Sequence, residues 1–75
     1  MAHHAIKSQV TGTVWKIERQ PGDAVQAGDT VLILESMKME IPAESPVAGV
    51  VHQLQVTEGQ NVTEGDVVAM IAASP

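Results

Sequence analysis

The sequence predicts an all-β fold, a flattened antiparallel β-barrel built from two similar halves. Of its 75 residues, eleven are valine, five isoleucine and five threonine, the β-branched types that favour strands, and the single aromatic residue is Trp15. Gly or Pro interrupts the chain at short intervals, too often for helices of ordinary length. The chain also repeats itself, and this repeat sets the order of the strands.

A shift of 37 positions aligns the first part of the chain with the second. Over residues 10–34 eight positions are identical without a gap, where average composition would give about two. The identical pairs are Val10/Val47, Gly12/Gly49, Val14/Val51, Gly22/Gly59, Val25/Val62, Gly28/Gly65, Asp29/Asp66 and Val31/Val68. We therefore interpret residues 1–75 as one domain, with a first half at about 6–34, a connecting hairpin at 35–46 and a second half at 47–73.

Each half is predicted to contain a strand, a short bridging strand and a second strand. In the first half these lie at residues 12–19, at Val25 and at residues 30–34, with turns at Pro21-Gly22 and Gly28-Asp29. The second half repeats the order, with strands at 49–56, at Val62 and at 67–72.

Two details of the pattern refine these strands. Val14 and Ile17 are apolar residues three positions apart, as are Val51 and Leu54 in the other half. A straight strand would send such residues to opposite faces, so the spacing predicts a bulge or sharp coil in both strands. The runs at 31–34 and 68–71 are apolar on both faces, as expected inside a closed or sandwiched sheet.

The repeat predicts where the connection between the halves lies. Two like halves bury their apolar sheets most simply by packing about a pseudo-twofold axis, which also hides most sheet edges. The site related by symmetry to the connection at 35–46 is where the chain begins and ends. We therefore expect the hairpin and the termini at opposite ends of the barrel.

The hexapeptide Glu35-Ser36-Met37-Lys38-Met39-Glu40 stands at this hairpin, yet it contains no Gly, Asn, Asp or Pro. These are the residues that a tight turn normally needs, so a functional constraint is expected here. An exposed hairpin lysine is usually only a solvated charge. Against that simple interpretation stand Met37 and Met39, because flexible thioethers on an exposed turn suit an adaptable binding surface.

Charge and composition exclude several classes of partner. The formal net charge is −5, and the four cations are Lys7, Lys16, Arg19 and Lys38. This balance argues against binding to nucleic acid or to an anionic membrane, and no apolar run approaches the roughly 20 residues of a membrane span. The chain has no cysteine and no evident leader, which favours the cytoplasm or another reducing compartment.

Glu-Ser-Met-Lys-Met-Glu resembles the biotin-attachment motif of biotinyl domains, the biotin carboxyl carrier family, in which methionines flank the acceptor lysine. The resemblance covers nearly the whole chain, because the duplicated glycine pattern surrounds the motif. It implies a barrel-sandwich hybrid, with the attachment lysine on a hairpin opposite the termini.

The resemblance also implies a function. Lys38 would be the acceptor for covalent biotin, attached by a biotin protein ligase, with Met37 and Met39 as recognition elements and neighbours of the biotin ring. The domain would carry a carboxyl group between biotin carboxylase and carboxyltransferase components, and as an isolated domain it would be monomeric. It would contribute no catalytic residue and bind no metal, with His52 placed on a strand face.

Two other interpretations fit parts of the sequence. A lipoyl-type carrier domain shares the fold and the hairpin lysine, but Asp usually precedes that lysine and Ala or a similar residue follows it. An unmodified β-barrel serving as an adaptor would lack Met-Lys-Met altogether. Some biotinyl domains insert a protruding thumb loop, and Arg19-Gln20-Pro21-Gly22 leaves no room for one before Val25.

Overall fold

The computed structural model describes residues 2–74 as eight β-strands with no helix among them. The strands are β1 (His3–Lys7), β2 (Gly12–Ile17), β3 (Ala24–Val25), β4 (Thr30–Ser36), β5 (Met39–Glu44), β6 (Gly49–Leu54), β7 (Asn61–Val62) and β8 (Val67–Ala73). The predicted all-β class is confirmed. The described residues accordingly offer no helix long and apolar enough to cross a membrane.

The strands form two four-stranded antiparallel sheets. The first sheet has the order β1-β8-β6-β3, and the second sheet has the order β5-β4-β2-β7. Each sheet therefore takes two strands from each half of the chain. Since β1 and β3 lie in the sheet centred on β6 and β8, neither half builds a complete sheet from its own strands.

The repeat is longer than the sequence predicts. Strand β1 pairs with β8 in the same way that β5 pairs with β4, and the shift of 37 positions carries His3–Lys7 onto 40–44. The interpretation of residues 35–46 as only a connection between the halves was therefore wrong, because residues 40–44 are the counterpart of β1 within the repeat. Strands β1 and β5 were missed because no residue is identical between them and both lie at sheet edges, where few apolar side chains are required.

The predicted bulges are present in both halves. The register of β2 against β4 shifts between Val14 and Lys16, and that of β6 against β8 shifts between Val51 and Gln53. The extra residues are Trp15 and His52, which are equivalent in the repeat. Each bulge lets the two apolar residues of its strand turn towards the core.

The core lies between the sheets and is built mainly from β4 and β8. Its largest fully buried side chains include Leu32, Leu34, Ile71, Val14, Val31, Val51 and Val68. Ile33 and Met70, however, are only half-buried, because each sheet has one face towards the core and one towards solvent. The expectation that the runs are buried on both faces thus holds for only part of each strand.

Tight turns join the strands, and they too follow the repeat. Asp23 accepts a bond at its carboxylate from the amide of Gln20 (2.8 Å), and its own amide donates to the Gln20 carbonyl (3.0 Å). Thr57 and Gln60 repeat both contacts in the second half. The turn after β2 is therefore closed on itself, and no thumb loop lies between β2 and β3.

The hairpin between β4 and β5 and the chain ends lie at opposite ends of the molecule, as predicted. Near the hairpin, Thr11 accepts at its hydroxyl from the amide of Glu64, shortly before β8 begins. Strand β8 then runs away from the hairpin towards the termini, where Ala73 donates from its amide to the carbonyl of Ala2. The molecule measures 38 × 18 × 18 Å, so the two ends are well separated.

Candidate functional site

The candidate site is the two-residue turn that joins β4 to β5. Ser36 pairs with Met39, and the turn residues between them, Met37 and Lys38, have φ angles of 52° and 64°. Positive φ at both central positions is typical of a type I′ turn, whose twist matches that of a hairpin. Met37 and Lys38 are the only non-glycine residues with positive φ in the described chain. The absence of a turn residue in the hexapeptide is therefore a real conflict between sequence and backbone.

The base of this hairpin is anchored to Thr11 and to Gly12, the first residue of β2. A side chain at Gly12 would collide with the carbonyl oxygen of Glu35, so only glycine allows β2 and β4 to approach this closely. The hydroxyl of Ser36 donates to the carbonyl of Thr11 (3.1 Å). These contacts hold the end of β4 and thereby fix the direction in which the turn projects.

The three central side chains of the motif point into solvent. Met37 is 92% exposed and Met39 61% exposed, and Lys38 is exposed between them. The ion pairs within residues 2–74 are Lys16–Glu18 and Arg19–Asp29, so no carboxylate holds the Lys38 amine. The prediction of an outward-facing lysine flanked by methionines without a core role is confirmed.

Two glutamates lie directly opposite each other beside the turn. Glu35 on β4 pairs with Glu40 on β5, and both side chains are exposed. Like charges in opposite positions on neighbouring strands cost stability. Conversion of the Lys38 amine to an amide would remove one positive charge from this end of the molecule.

The structure also shows the contacts of the other residues considered, His52 and Ser36. His52 is exposed at its bulge and stacks on His3, with ring centroids 4.4 Å apart and an interplanar angle of 18°. Within residues 2–74 no cluster of three or more His, Cys, Asp or Glu side chains could hold a metal ion. The hydroxyl of Ser36 is bound to a backbone carbonyl, which suits a structural role.

Sequence reasoning missed the residues that support the hairpin. Gly12 belongs to the repeat, but the repeat alone does not say which strand it approaches. Its equivalent, Gly49, makes the same close approach to the Ala72 carbonyl at the other end of the molecule. Thr11 has no equivalent threonine, so the sequence carries no signal for its contacts with Ser36 and Glu64.

Comparison with known sequences identifies a family and several similar proteins. Residues 2–71 match the biotin/lipoyl family, described as biotin-requiring enzyme. A biotin/lipoyl attachment protein from Bacillus subtilis is 41% identical over 69 residues, which cover 92% of this chain and 94% of the relative. The biotinylated protein TB7.3 homolog of Mycobacterium leprae is 36% identical over 67 residues, covering 89% of this chain and 94% of that protein.

Comparison with solved structures finds the same fold in a carboxylase. The chain superimposes on part of the Kluyveromyces lactis urea carboxylase with a TM-score of 0.91 and 36% identity, covering 96% of this chain and 6% of that one. It thus spans nearly the full length of its small relatives and a small fraction of the large carboxylases. With sequence, fold and hairpin in agreement, the chain belongs to the biotin/lipoyl family and is a biotinyl domain.

Proposed function

We propose that Lys38 is the site of covalent biotin attachment and that the domain serves as a biotin carboxyl carrier. The observation that carries this proposal is the position of Lys38 at the tip of a type I′ turn, exposed and free of any carboxylate partner within residues 2–74. An amine in this position suits entry into the active site of a second protein. The resemblance of the flanking motif and the names of the relatives support biotin as the group attached.

The chemistry at Lys38 is formation of an amide. A protonated amine is not nucleophilic, so a biotin protein ligase must assist removal of a proton before the nitrogen attacks the activated carboxyl carbon of biotin. The amide nitrogen carries no charge, and loss of one positive charge takes the formal net charge of the chain from −5 to −6. Met37 and Met39 flank the reacting nitrogen and offer apolar, flexible contacts to the ligase.

The rest of the domain acts as a support. When bound, biotin supplies the ability to accept a carboxyl group at one active site and release it at another. The chain positions the attachment point, and a short tether raises the effective concentration of the group to about millimolar. We propose biotin carboxylase and carboxyltransferase components as the partners, no catalytic side chain in the carrier itself, and a monomeric domain spanning residues 1–75.

The test is intact-mass measurement after expression with an active biotin ligase, followed by binding to streptavidin. We expect one biotinyl group per chain and none in Lys38→Arg. Lys16→Arg is the matched control, because Lys16 is also exposed but lies within β2, and it should be labelled like the natural chain. Labelling that survives Lys38→Arg would contradict the assignment, and a lipoyl group at Lys38 would favour the lipoyl-type carrier.

A further inference from the structure

The hairpin carries the most accessible sulfur atoms that the structure describes. Met37 and Met39 are 92% and 61% exposed, whereas Met70 lies half-buried in the central strand β8. The chain has no cysteine, so no thiol competes with these thioethers for an oxidant. Because oxidation of methionine follows solvent access, Met37 and Met39 should react before Met70.

We propose that Met37 and Met39 form an oxidation site that controls the modification of Lys38. The oxidant is a peroxide, and the proposal rests on the biotinylation of Lys38 described above. In the reaction the thioether sulfur attacks one oxygen of hydrogen peroxide, the O–O bond breaks, and water is released. The sulfur loses two electrons and becomes a sulfoxide, while the peroxide is reduced.

The consequence follows from the position of the two side chains. A sulfoxide is polar and chiral, whereas the thioether is apolar and flexible, so oxidation replaces the apolar surface on both sides of Lys38. The ligase must contact this surface to reach the amine. A methionine side chain that the ligase covers contributes free energy of burial to recognition. If oxidation removes part of that contribution, the rate of labelling should fall about tenfold.

The fold should be unaffected by the same reaction. Met37 lies in the turn and Met39 at the first residue of β5, and neither belongs to the buried core. Exposed sites contribute little to stability, so oxidation of these two residues should shift the unfolding midpoint hardly at all. An effect on labelling without an effect on unfolding separates control of recognition from general damage.

The reaction is also reversible in principle. Methionine sulfoxide reductases return each sulfoxide to the thioether, with a dithiol oxidised to a disulfide and the oxygen released as water. Two enzymes are required because each reduces one sulfoxide epimer. Treatment with both should restore the labelling of Lys38.

The experiment compares the rate of ligase-catalysed biotinylation of the purified apo chain before and after limited treatment with hydrogen peroxide. Peptide mass mapping assigns each sulfoxide. We expect Met37 and Met39 to be oxidised before Met70, labelling to fall about tenfold, and the reductases to restore it. The proposed function is tested separately by comparing the untreated natural chain with untreated Lys38→Arg. If the natural chain is not biotinylated in that comparison, the proposed function fails independently of any effect of oxidation.

Three variants complete the test. The double variant Met37→Leu/Met39→Leu should be labelled more slowly than the natural chain before treatment. Peroxide should leave its labelling rate nearly unchanged, because neither hairpin sulfur is present. Met70→Leu should remain as sensitive as the natural chain, because the hairpin sulfurs are still present. Met39→Leu alone leaves Met37 as the sensitive residue of the hairpin. Normal labelling of a chain with both hairpin sulfoxides, or oxidation of Met70 ahead of them, would overturn the proposal.

Discussion

The conflict between residue type and backbone at the hairpin has a physical cost. For most residues that carry a side chain, with Asn as a common exception, the left-handed region brings Cβ close to the following carbonyl and costs roughly 1–2 kcal/mol. Both Met37 and Lys38 occupy it. The chain thus retains two residues that oppose its own turn, and this is why a functional constraint was predictable at this position before the structure was known.

Replacement of Met37 by Asn tests this interpretation. Asn tolerates positive φ and is favoured in type I′ turns, so Met37→Asn should stabilise the domain by about 0.5–1 kcal/mol. Urea denaturation monitored by Trp15 fluorescence would measure the change, and the labelling rate at Lys38 should fall. Met39→Asn is the control, because Met39 has no positive φ, and it should give no gain in stability. A gain of equal size in both variants would mean that the turn is not strained.

At the scale of elements, the central strands and the short edge strands β3 and β7 were predictable, whereas the edge strands β1 and β5 were not. The apolar runs at 31–34 and 68–71 predict strands β4 and β8. The bulges of β2 and β6 are predicted by apolar residues three positions apart. Strand β5 contains Pro42, which lacks a backbone donor, and is tolerated because β5 lies at a sheet edge. In β1 only Ile6 reaches the core. The pairing of β1 and β5 is determined by the strands beside them, so the residues of β1 and β5 themselves carry little signal for it.

The two close approaches at Gly12 and Gly49 provide a prediction with an internal control. Gly12→Ala and Gly49→Ala each place a side chain against a backbone carbonyl, and both should lose about 1–3 kcal/mol of stability. Gly12 supports the β4–β5 hairpin, whereas Gly49 lies at the end with the termini. At a temperature where both variants are folded, Gly12→Ala should therefore be labelled more slowly by the ligase than Gly49→Ala. Equal labelling rates would show that Gly12 does not position the turn.

The whole molecule depends on exchange between its halves. The six strand pairs are β1–β8, β2–β4, β2–β7, β3–β6, β4–β5 and β6–β8, and four of them join strands from different halves. The sequence repeat predicted two similar halves and the opposite placement of hairpin and termini. It could not predict the exchange, because identities at equivalent positions are the same whether a strand joins its own half or the other.

A chain divided between Met37 and Lys38 would reveal this dependence. Each fragment keeps one pair of long strands, β2–β4 or β6–β8, and loses every pair between strands of different halves. Fragments 1–37 and 38–75 should therefore be unfolded when separate, because neither buries an apolar face, and should regain strand structure when mixed. Circular dichroism and amide exchange would follow the recovery. Persistent native structure in either fragment alone would contradict a cooperative, exchanged fold.

The pairing of β1 with β8 determines how the molecule responds to mechanical force. His3 lies opposite Ala72, so the first and last strands meet at their outer ends. A pull on the two termini would load the hydrogen bonds of this ladder one after another, as in a zip, and would not shear them all together. The domain should therefore unfold at low force. Within the β1–β8 ladder, the residue pair farthest from the termini, Lys7 and Val67, would separate last.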